Sequence, residues 1–508
     1  MHQSQHQRVL ILIFITTVIR LVAASSIELG NDEAYYWTYS QHLQWNYFDH
    51  PPMVAIWIRL FTGNLILQQY ELFVRLGSIV SCAISTWLMY RTCSILHSER
   101  AGWLAACLYT TSIYASIISG IFIMPDSPQM VFWCCCLFLI VKICSDKTNW
   151  LYWIFFGISA GLCIMSKVHG IFIWFGMGLF ILSNKRDWLR LKQLYAAVIL
   201  TIVIVSPILF WNINNHFISY SFHSARIIVH QFTFNTNGFI TEIFGQIFYN
   251  NPLNFILIVL AFISWRKRKI VRLEPLSIYL FIALPMIAIL LLIAMFRNTL
   301  PHWSGPAYVT LLPLAAIYFT SVSGSRFFPI SLRWGIGIIA VTLIAGIAVI
   351  DFYPGTIGKK SNQDLGDGDP TLDMYGWKNA GESFARIYRN DVNSGIMPTG
   401  SPIVCYKWFP AAHEDYYFCH PLGIQMIGLG SVFDLHEYAW MNDLRKNQVD
   451  FNKAYCVVPS NENYDARRKY LDYYSQVSLV TQIENFRNKK LSRYFYVYRL
   501  QGWKNKIL

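Results

Sequence analysis

Eleven apolar runs of near bilayer length constrain this chain more than any motif in it. They lie at about 8–24, 72–96, 101–119, 128–144, 150–165, 168–183, 194–212, 252–264, 276–296, 303–320 and 332–350. A run of this kind crosses hydrocarbon as a helix, because a helix satisfies its own backbone hydrogen bonds. A mean hydropathy of +0.36 agrees with that interpretation. We therefore expect a mainly α, polytopic membrane protein with about eleven transmembrane helices, the first of them an anchor rather than a removable signal peptide.

The distribution of Lys and Arg predicts the orientation of these spans. With a cytoplasmic N-terminus, four basic residues fall in outer loops, namely Arg59, Lys167, Arg226 and Arg297. Fifteen fall in inner loops: Arg91, Arg100, Lys142, Lys147, Lys185, Arg186, Arg190, Lys192, Arg266, Lys267, Arg268, Lys269, Arg272, Arg326 and Arg333. The positive-inside rule therefore favours a cytoplasmic N-terminus. It also accounts for the net charge of +13 without a nucleic-acid partner.

An odd number of spans places the residues after about 351 outside the membrane. This tail opens with the turn-rich "GKKSNQDLGDGDPTLD" and ends with alternating segments such as "YFYVYRL". Turn residues followed by alternation are typical of a small soluble α/β domain. We therefore predict a transmembrane catalytic domain over 1–350 and an extracytoplasmic domain over 351–508. The eleven scattered cysteines form no disulfide-framework spacing, so they are interpreted as small core residues.

The remaining ionisable residues gather on the predicted outer side. "GNDEAYYW" (30–37) and "WNYFDHPPM" (45–53) supply acidic groups and a histidine, and the short outer loops add "MPDSPQ", "MSKVHG" and "FRNTLPHW". Charge at the end of a membrane helix is costly unless it has a partner or a function. Solvated loop residues would explain any one of these groups taken alone. Together they favour a reaction site that faces the outer compartment.

This set of residue types suits transfer of a sugar from a lipid phosphate. A carboxylate near an acceptor hydroxyl can act as general base, and a cation can stabilise a departing phosphate. Polyprenyl phosphates are the natural carriers of activated sugars outside the cytoplasm, where no nucleotide pool exists. The sequence therefore predicts membrane lipid, a polyprenyl-phosphate sugar donor and an envelope acceptor as partners.

Five segments in order make the prediction specific. "NDEAYYW", "YFDHPP", "MPDSP", "SKVHG" and the later "SPILFWNINNHFISYSFH" resemble bacterial lipid-linked-sugar glycosyltransferases of the GT-C superfamily. "LPHWSGPAY" and "DMYGWKNAG" agree, so the resemblance covers roughly residues 28 to 380. The resemblance extends to two branches, the aminoarabinose transferases that modify lipid A and the protein O-mannosyltransferases. The resemblance implies sugar transfer to lipid A or another glycolipid at the periplasmic face of the bacterial cytoplasmic membrane.

The resemblance also assigns roles to residues. Asp32 matches the catalytic aspartate of the first outer loop, Glu33 is its neighbour in the acidic pair, and Asp126 matches the acidic residue of the second outer loop. Lys167 stands where relatives place a lysine near the donor phosphate. From the residues themselves, Arg297 is a further phosphate ligand, because its guanidinium fork fits phosphate oxygens.

Asp49 and His50 depart from the family pattern, since aminoarabinose transferases have Glu-Lys there. The change removes a permanent cation, weakens the expected phosphate contact of His50 and makes aminoarabinose transfer itself less expected. An Asp-His pair is instead suited to a divalent metal such as zinc or manganese. The alternative is a turn capped by His50 before the two prolines. No other cofactor is expected.

Two further residues, Tyr35 and His302, are candidate substrate contacts. Tyr35 is a candidate sugar-binding residue, although aromatic residues also form interfacial belts. His302 is a candidate substrate contact, and the alternative is a hydrogen-bonded core histidine.

Two alternative functions fit the same residues. A protein acceptor would make the enzyme a protein O-mannosyltransferase-like one. A lipid-linked-sugar transporter or flippase is the non-enzymatic alternative, against which stands the lack of an internal two-fold repeat.

Overall fold

The computed structural model describes residues 5–228, 233–267, 273–322, 327–462 and 464–504, without the side chains of 322–331. The chain divides into two compact units. We call Met1–Ala24 with Leu43–Leu343 the helical unit, and Ser25–His42 with Ile344–Leu508 the sheet unit. The sheet unit thus includes residues 25–42, whereas the sequence predicts a domain boundary at residue 350. A division into two functional domains at residue 350 stays a prediction.

The helical unit consists of long apolar helices joined by short turns. Its helices are Gln5–Ser26, Met53–Phe61, Glu71–Leu96, Glu99–Thr111, Asp126–Ser145, Trp150–Ser166, Ile171–Asn184, Lys192–Asn214, Ile218–Ile227, Thr236–Tyr249, Pro252–Arg266, Glu274–Ala294, Gly305–Val322 and Phe327–Phe352, of which the first and last end in the sheet unit. Short turns of helix lie at Tyr114–Ile118, Val168–Gly170, Arg186–Arg190 and Pro301–Ser304. Each of the eleven predicted spans overlaps one helix, which confirms the mainly helical fold.

Many helices of the helical unit are too short to cross a membrane by themselves. Within the described residues, six helices are individually long and apolar enough to cross a membrane. The pair Thr236–Tyr249 and Pro252–Arg266 would count as a seventh span, bent by 95°. Eleven crossings and a cytoplasmic N-terminus therefore stay predictions. Four of the inner basic residues, Arg268, Lys269, Arg272 and Arg326, lie outside the described residues.

Small residues let the helices of this unit approach closely. A Cβ added at Gly157 would overlap the backbone of Ala197, and one at Gly176 would overlap Ile282. Close approach of this kind is the usual basis of helix packing in membranes, where apolar burial gives little drive. All eleven cysteines of the chain are free thiols, and they are buried or half-buried, as the sequence interpretation predicts.

The sheet unit contains a five-stranded mixed sheet. The strands are β1 (Ile403–Cys405), β2 (Met426–Gly428), β3 (Lys453–Pro459), β4 (Tyr474–Arg487) and β5 (Lys490–Trp503), in the spatial order β2-β1-β3-β5-β4. β1 is parallel to β2 and β3, whereas β5 is antiparallel to both of its neighbours. The helices of this unit are Asn31–Gln41, Trp377–Asn393, Trp408–Glu414, His420–Leu422, Val432–Leu435, Tyr438–Arg445 and Ala466–Tyr470. A small α/β domain at the C-terminal end is confirmed.

The β4–β5 hairpin follows from its sequence. Asn488 and Lys489 both have positive φ, 45° and 62°, as a two-residue turn between twisted strands requires. The alternating run "YFYVYRL" lies in β5, where Phe495 and Val497 are buried and the tyrosines that alternate with them, Tyr494, Tyr496 and Tyr498, are half-buried. Alternation therefore identified this strand correctly.

The opening motif "GNDEAYYW" begins a helix of the sheet unit rather than lying in a loop. The Glu33 carboxylate accepts the backbone N–H of Gly30 at 2.9 Å, which caps the N-terminus of Asn31–Gln41. Trp37 packs edge-on against Tyr416, with ring centroids 5.0 Å apart. The aromatic residues of this helix are therefore part of the sheet unit's core.

Candidate functional site

A buried ion pair lies at the centre of the helical unit's polar cluster. Lys167 Nζ donates to Asp126 Oδ2 at 2.8 Å, and the two residues are 4 % and 1 % exposed. Tyr114 donates its hydroxyl to the other carboxylate oxygen at 2.8 Å. Asp126 is the first residue of Asp126–Ser145, and Lys167 follows the last residue of Trp150–Ser166. Two helix ends therefore bring the predicted acid and the predicted phosphate ligand together.

The Lys167 ammonium has unused donor capacity. Its bond to Asp126 is the one hydrogen bond that Nζ makes among the described residues. An ammonium carries three N–H groups, so two more acceptors can be bound. Oxygens of an anionic ligand would satisfy both donors.

Histidines surround this pair. The rings of His50 and His223 have centroids 6.1 Å apart, and His223 Nε2 lies 2.7 Å from the Asp49 carbonyl oxygen. Burial, then the charge of Lys167, lowers the pKa of His302 to about 4. Burial, then His223 and Lys167, holds the pKa of His50 well below its usual value. Both imidazoles are therefore neutral near pH 7, and they add polar contacts without adding charge.

Two arginines extend the cationic side of the cluster. The Arg226 guanidinium lies 5.7 Å from the ring centroid of Trp303. Arg297 donates from Nη2 to the Ala225 carbonyl at 2.7 Å, and its buried Nε makes no hydrogen bond to any described residue. Arg226 also lies within electrostatic reach of His50, and Arg297 is bonded to the residue before Arg226. Cationic groups beside Lys167 favour an anionic ligand.

Sequence reasoning missed several members of this cluster. Arg226 was counted as an outer cation but given no role, although its place among the four outer basic residues was the available signal. His223 closes the segment "SPILFWNINNHFISYSFH", which carried part of the family resemblance. His169, whose ring centroid is 5.8 Å from that of Trp303, lies in the quoted "SKVHG" segment. Tyr114 had no sequence signal.

The predicted metal site at Asp49 and His50 has little support from its surroundings. Among the described residues, no group of three or more His, Cys, Asp or Glu side chains is arranged to hold a metal ion. His223 already contacts the Asp49 carbonyl, and His50 packs beside it. The same contacts are also consistent with Asp49, His50 and His223 simply lining the polar cluster around Lys167.

The other predicted residues, Asp32, Glu33 and Tyr35, lie in the sheet unit. Tyr35 is 1 % exposed and accepts the Glu437 backbone N–H through its hydroxyl at 3.1 Å, and its sugar-binding role stays a prediction. Asp32 lies within electrostatic reach of Asp373, and burial is the main cause that raises the pKa of Asp373 to about 6. Asn31 is bonded to that same carboxyl and, through Oδ1, lies 2.8 Å from His413 Nε2.

The predicted residues thus form two groups. Asp49, His50, Asp126, Lys167, Arg297 and His302 belong to the helical unit, and Asp32, Glu33 and Tyr35 belong to the sheet unit. The helical group contains the ion pair, the neutral histidines and the cations. The sheet group contains Asp32, which lies within electrostatic reach of Asp373, a carboxyl whose pKa burial raises to about 6. The catalytic and binding roles of all nine residues stay predictions.

Comparison with solved structures decides the fold. The apo structure of ArnT from Cupriavidus metallidurans superposes with a TM-score of 0.64 at 14 % identity, covering 97 % of this chain and 98 % of that one. Its complex with undecaprenyl phosphate matches equally well, with a TM-score of 0.64 and 13 % identity over 96 % and 97 % of the two chains. The chain has an ArnT-type GT-C fold. The predicted fold class is therefore confirmed.

Sequence comparisons agree with this fold. A family model described as dolichyl-phosphate-mannose-protein mannosyltransferase matches residues 49–211. The lipid A galacturonosyltransferase RgtD of Rhizobium johnstonii is 24 % identical over 336 residues, which are 64 % of this chain and 66 % of the relative. The undecaprenyl phosphate-alpha-4-amino-4-deoxy-L-arabinose arabinosyl transferase 2 of Proteus mirabilis is 27 % identical over 135 residues, 26 % of this chain and 24 % of the relative. The predicted resemblance is confirmed.

Proposed function

We propose that this protein transfers a sugar from a polyprenyl-phosphate carrier to a lipid A-type glycolipid, on the outer side of the bacterial cytoplasmic membrane. The observation that carries the proposal is the buried Asp126–Lys167 pair, whose ammonium has two free donors and neighbouring cations. Two relatives support it by name, since one acts on lipid A and the other uses an undecaprenyl phosphate sugar. An ArnT of the same fold binds undecaprenyl phosphate.

The donor phosphate is bound by the cations of the helical unit. Lys167 supplies a charge-assisted contact, and Asp126 holds that side chain in place. Arg297 contributes the Nε that has no bonded partner among the described residues. His50 and His302, neutral at pH 7, contribute hydrogen bonds rather than charge.

The transfer is a direct displacement at the anomeric carbon. The acceptor hydroxyl forms the new C–O bond while the bond from the anomeric carbon to the phosphate oxygen breaks. The lipid phosphate leaves as an anion, and a carboxylate receives the hydroxyl proton. Asp32 is the proposed base, and Glu33 shapes its site by capping the helix on which Asp32 lies.

A divalent metal at Asp49 and His50 stays a separate prediction, because no group of three or more ligating side chains is arranged there among the described residues. Carboxylate and imidazole are suitable zinc and manganese ligands, and His223, with its ring centroid 6.1 Å from that of His50, would supply a second imidazole. Treatment of the purified protein with a chelator tests it. Activity that falls and returns with one added metal supports the site, and unchanged activity removes it.

Transfer by purified protein in detergent tests the function. Polyprenyl-phosphate galacturonic acid and aminoarabinose are the donors to compare, with lipid A and an unstructured peptide as acceptors. We expect lipid A to gain the mass of one sugar residue, and a reaction without the lipid-linked donor serves as the control. Sugar on the peptide alone would support the O-mannosyltransferase-like alternative. Movement of the donor across proteoliposomes without transfer would support a flippase.

A further inference from the structure

The helix Thr236–Tyr249, together with Asn235 before it, contacts the segment 295–304 along its length. At the start, the Asn235 backbone N–H donates to the Met295 carbonyl at 2.6 Å, and the Asn235 amide donates to Asn298 Oδ1 at 2.8 Å. These bonds fix the first part of the segment. The next contacts involve a carboxylate.

Glu242 is a completely buried acid within this contact. One of its oxygens accepts the Thr299 hydroxyl at 2.6 Å, and the other accepts the Gln246 amide at 2.7 Å. Gln246 in turn accepts the Tyr308 hydroxyl at 2.8 Å. Glu242 forms no ion pair with any described residue. Burial of an acid in an apolar unit is costly, so a packing role alone would be served better by an apolar side chain.

The contact continues beyond Glu242 in the same order. A Cβ at Gly245 would overlap the Pro301 ring, so helix and segment are in direct contact there. The rings of Tyr249 and His302 have centroids 6.1 Å apart. Residues 235, 242, 245 and 249 of the helix side thus meet 298, 299, 301 and 302 of the segment.

The continuation of the segment contacts the Asp126–Lys167 cluster. His302 lies within electrostatic reach of both charged residues. Trp303 lies beside His169 and beneath the Arg226 guanidinium. Gly305 packs so closely on the Tyr114 ring that a Cβ would overlap it. Small displacements of residues 299–305 would therefore move side chains of the cluster.

We infer that Glu242 is a positioning residue for this cluster, because it holds Thr299 and through it the segment that carries His302 and Trp303. Glu242 touches neither the donor nor the acceptor in this assignment. The inference rests on the proposed function only for its kinetic readout. Its structural consequence, an ordered segment 295–304, is independent of what the enzyme transfers.

Two substitutions separate positioning from acid–base use. Glu242→Gln keeps both bonds, since an amide can accept from Gln246 and donate to the Thr299 hydroxyl. Glu242→Leu fills similar space and loses both. We expect Glu242→Leu to lower kcat/KM for the lipid-linked sugar about 10–100-fold, as misplacement by an ångström can, and Glu242→Gln to remain close to wild type.

Thr299→Val tests the same link from the other side. We expect a smaller loss than in Glu242→Leu, and no additional loss when both are combined, because both remove one interaction. Thr201→Val is the matched control: this buried hydroxyl bonds Gly157 and Trp174 within the same unit, away from the cluster. Its activity should be unchanged.

Hydrogen exchange of the amides in 295–304 gives a readout besides activity. Faster exchange in folded Glu242→Leu than in Thr201→Val supports the inference, and equal exchange contradicts it. Activity of Glu242→Gln as low as that of Glu242→Leu would show that the charge itself is used, which also overturns it. If wild type transfers no sugar, the proposed function fails while exchange still decides this inference. If Glu242→Leu does not fold, exchange in Thr299→Val decides it.

Discussion

The two units each contain a buried ion pair, and the pairs differ in how completely their donors are used. In the sheet unit, Arg487 Nη2 donates to Asp369 at 2.9 Å, and both side chains are fully buried. The same guanidinium also donates to the carbonyls of Gly355 and Ile350 and to the Thr371 hydroxyl. In the helical unit, Lys167 donates to Asp126 and to no other described group.

The two carboxylates also differ in the number of hydrogen bonds they accept. Asp126 accepts one bond from Lys167 and one from Tyr114. Asp369 accepts bonds from the Thr356 hydroxyl, the Ile357 backbone N–H and Thr371, besides Arg487. Arg487 uses four of its five N–H donors among the described residues, whereas Lys167 uses one of three, so the Arg487 pair ties segments together and offers a ligand little to bind. A pair with open donors in a buried, cationic setting can still bind an anion. Donor saturation therefore separates the structural pair from the candidate functional one.

The largest effect is expected at Asp32, which tests whether the sheet unit contributes chemistry in addition to structure. Asp32→Asn keeps the shape and removes basicity, so turnover should fall about 10²–10⁴-fold, as for loss of a general base. Turnover of a defined polyprenyl-phosphate sugar by purified, folded variant measures this. Glu33→Gln should lose less, because an amide oxygen can still cap Gly30. Near-normal turnover by Asp32→Asn would leave the sheet unit with a structural role alone.

The next effect concerns the saturated pair. Arg487→Met leaves Asp369 buried without its cation, and we expect a loss of about 3–5 kcal/mol in the free energy of unfolding. Thermal unfolding of the purified protein, followed by the sheet's circular dichroism, measures it. Lys359→Met is the control, because its ion pair with Asp367 is exposed. If Arg487→Met is as stable as wild type, the number of bonded donors does not distinguish a structural ion pair from a functional one.

The unsaturated pair should respond chiefly in donor kinetics. Loss of one charge-assisted phosphate contact in Lys167→Ala is expected to lower kcat/KM for the donor about 10–100-fold, equivalent to about 1.5–3 kcal/mol. Lys167→Arg should keep part of the activity. Lys167→Ala leaves Asp126 as an unpaired buried charge, which can destabilise the protein. The double variant Asp126→Asn with Lys167→Gln avoids this, so it shows whether the loss of donor kcat/KM persists when stability is kept. Unchanged donor kinetics in Lys167→Ala would exclude the phosphate role.

The smallest effect is expected at Glu414, a third kind of buried charge site. Neither of its carboxylate oxygens has a hydrogen-bond partner among the described residues, and burial raises its pKa well above the usual value. The folded state therefore keeps a proton that the unfolded state releases, so this residue lowers stability as pH rises above about 4.3. Glu414→Gln should raise the melting temperature at pH 8 and leave it unchanged at pH 4. Equal shifts at both pH values would contradict this assignment.

Much of the fold followed from local patterns in the sequence. Apolar runs predict helices because hydrocarbon requires internally bonded backbone, and each run corresponds to a helix of the structure. Alternation in "YFYVYRL" predicts a strand because one face of β5 is buried. Asp126 and Lys167 were identified as site residues through the family resemblance, and the structure brings them into contact.

Other features depended on partners far away in the chain, and only the tertiary structure decided them. The helix with Glu33 and Tyr35 belongs to the sheet unit, where Glu33 caps the helix and Tyr35 is buried and bonded to the Glu437 backbone, while their site roles stay predictions. Lys167 and Arg487 are both basic residues in the sequence, and the filled or open state of their donors depends on groups brought together by folding. Glu242 gave no sequence signal, because its significance lies in Thr299, 57 residues away. Hydrophobic periodicity is a property of neighbours along the chain, whereas hydrogen-bond saturation is a property of neighbours in space.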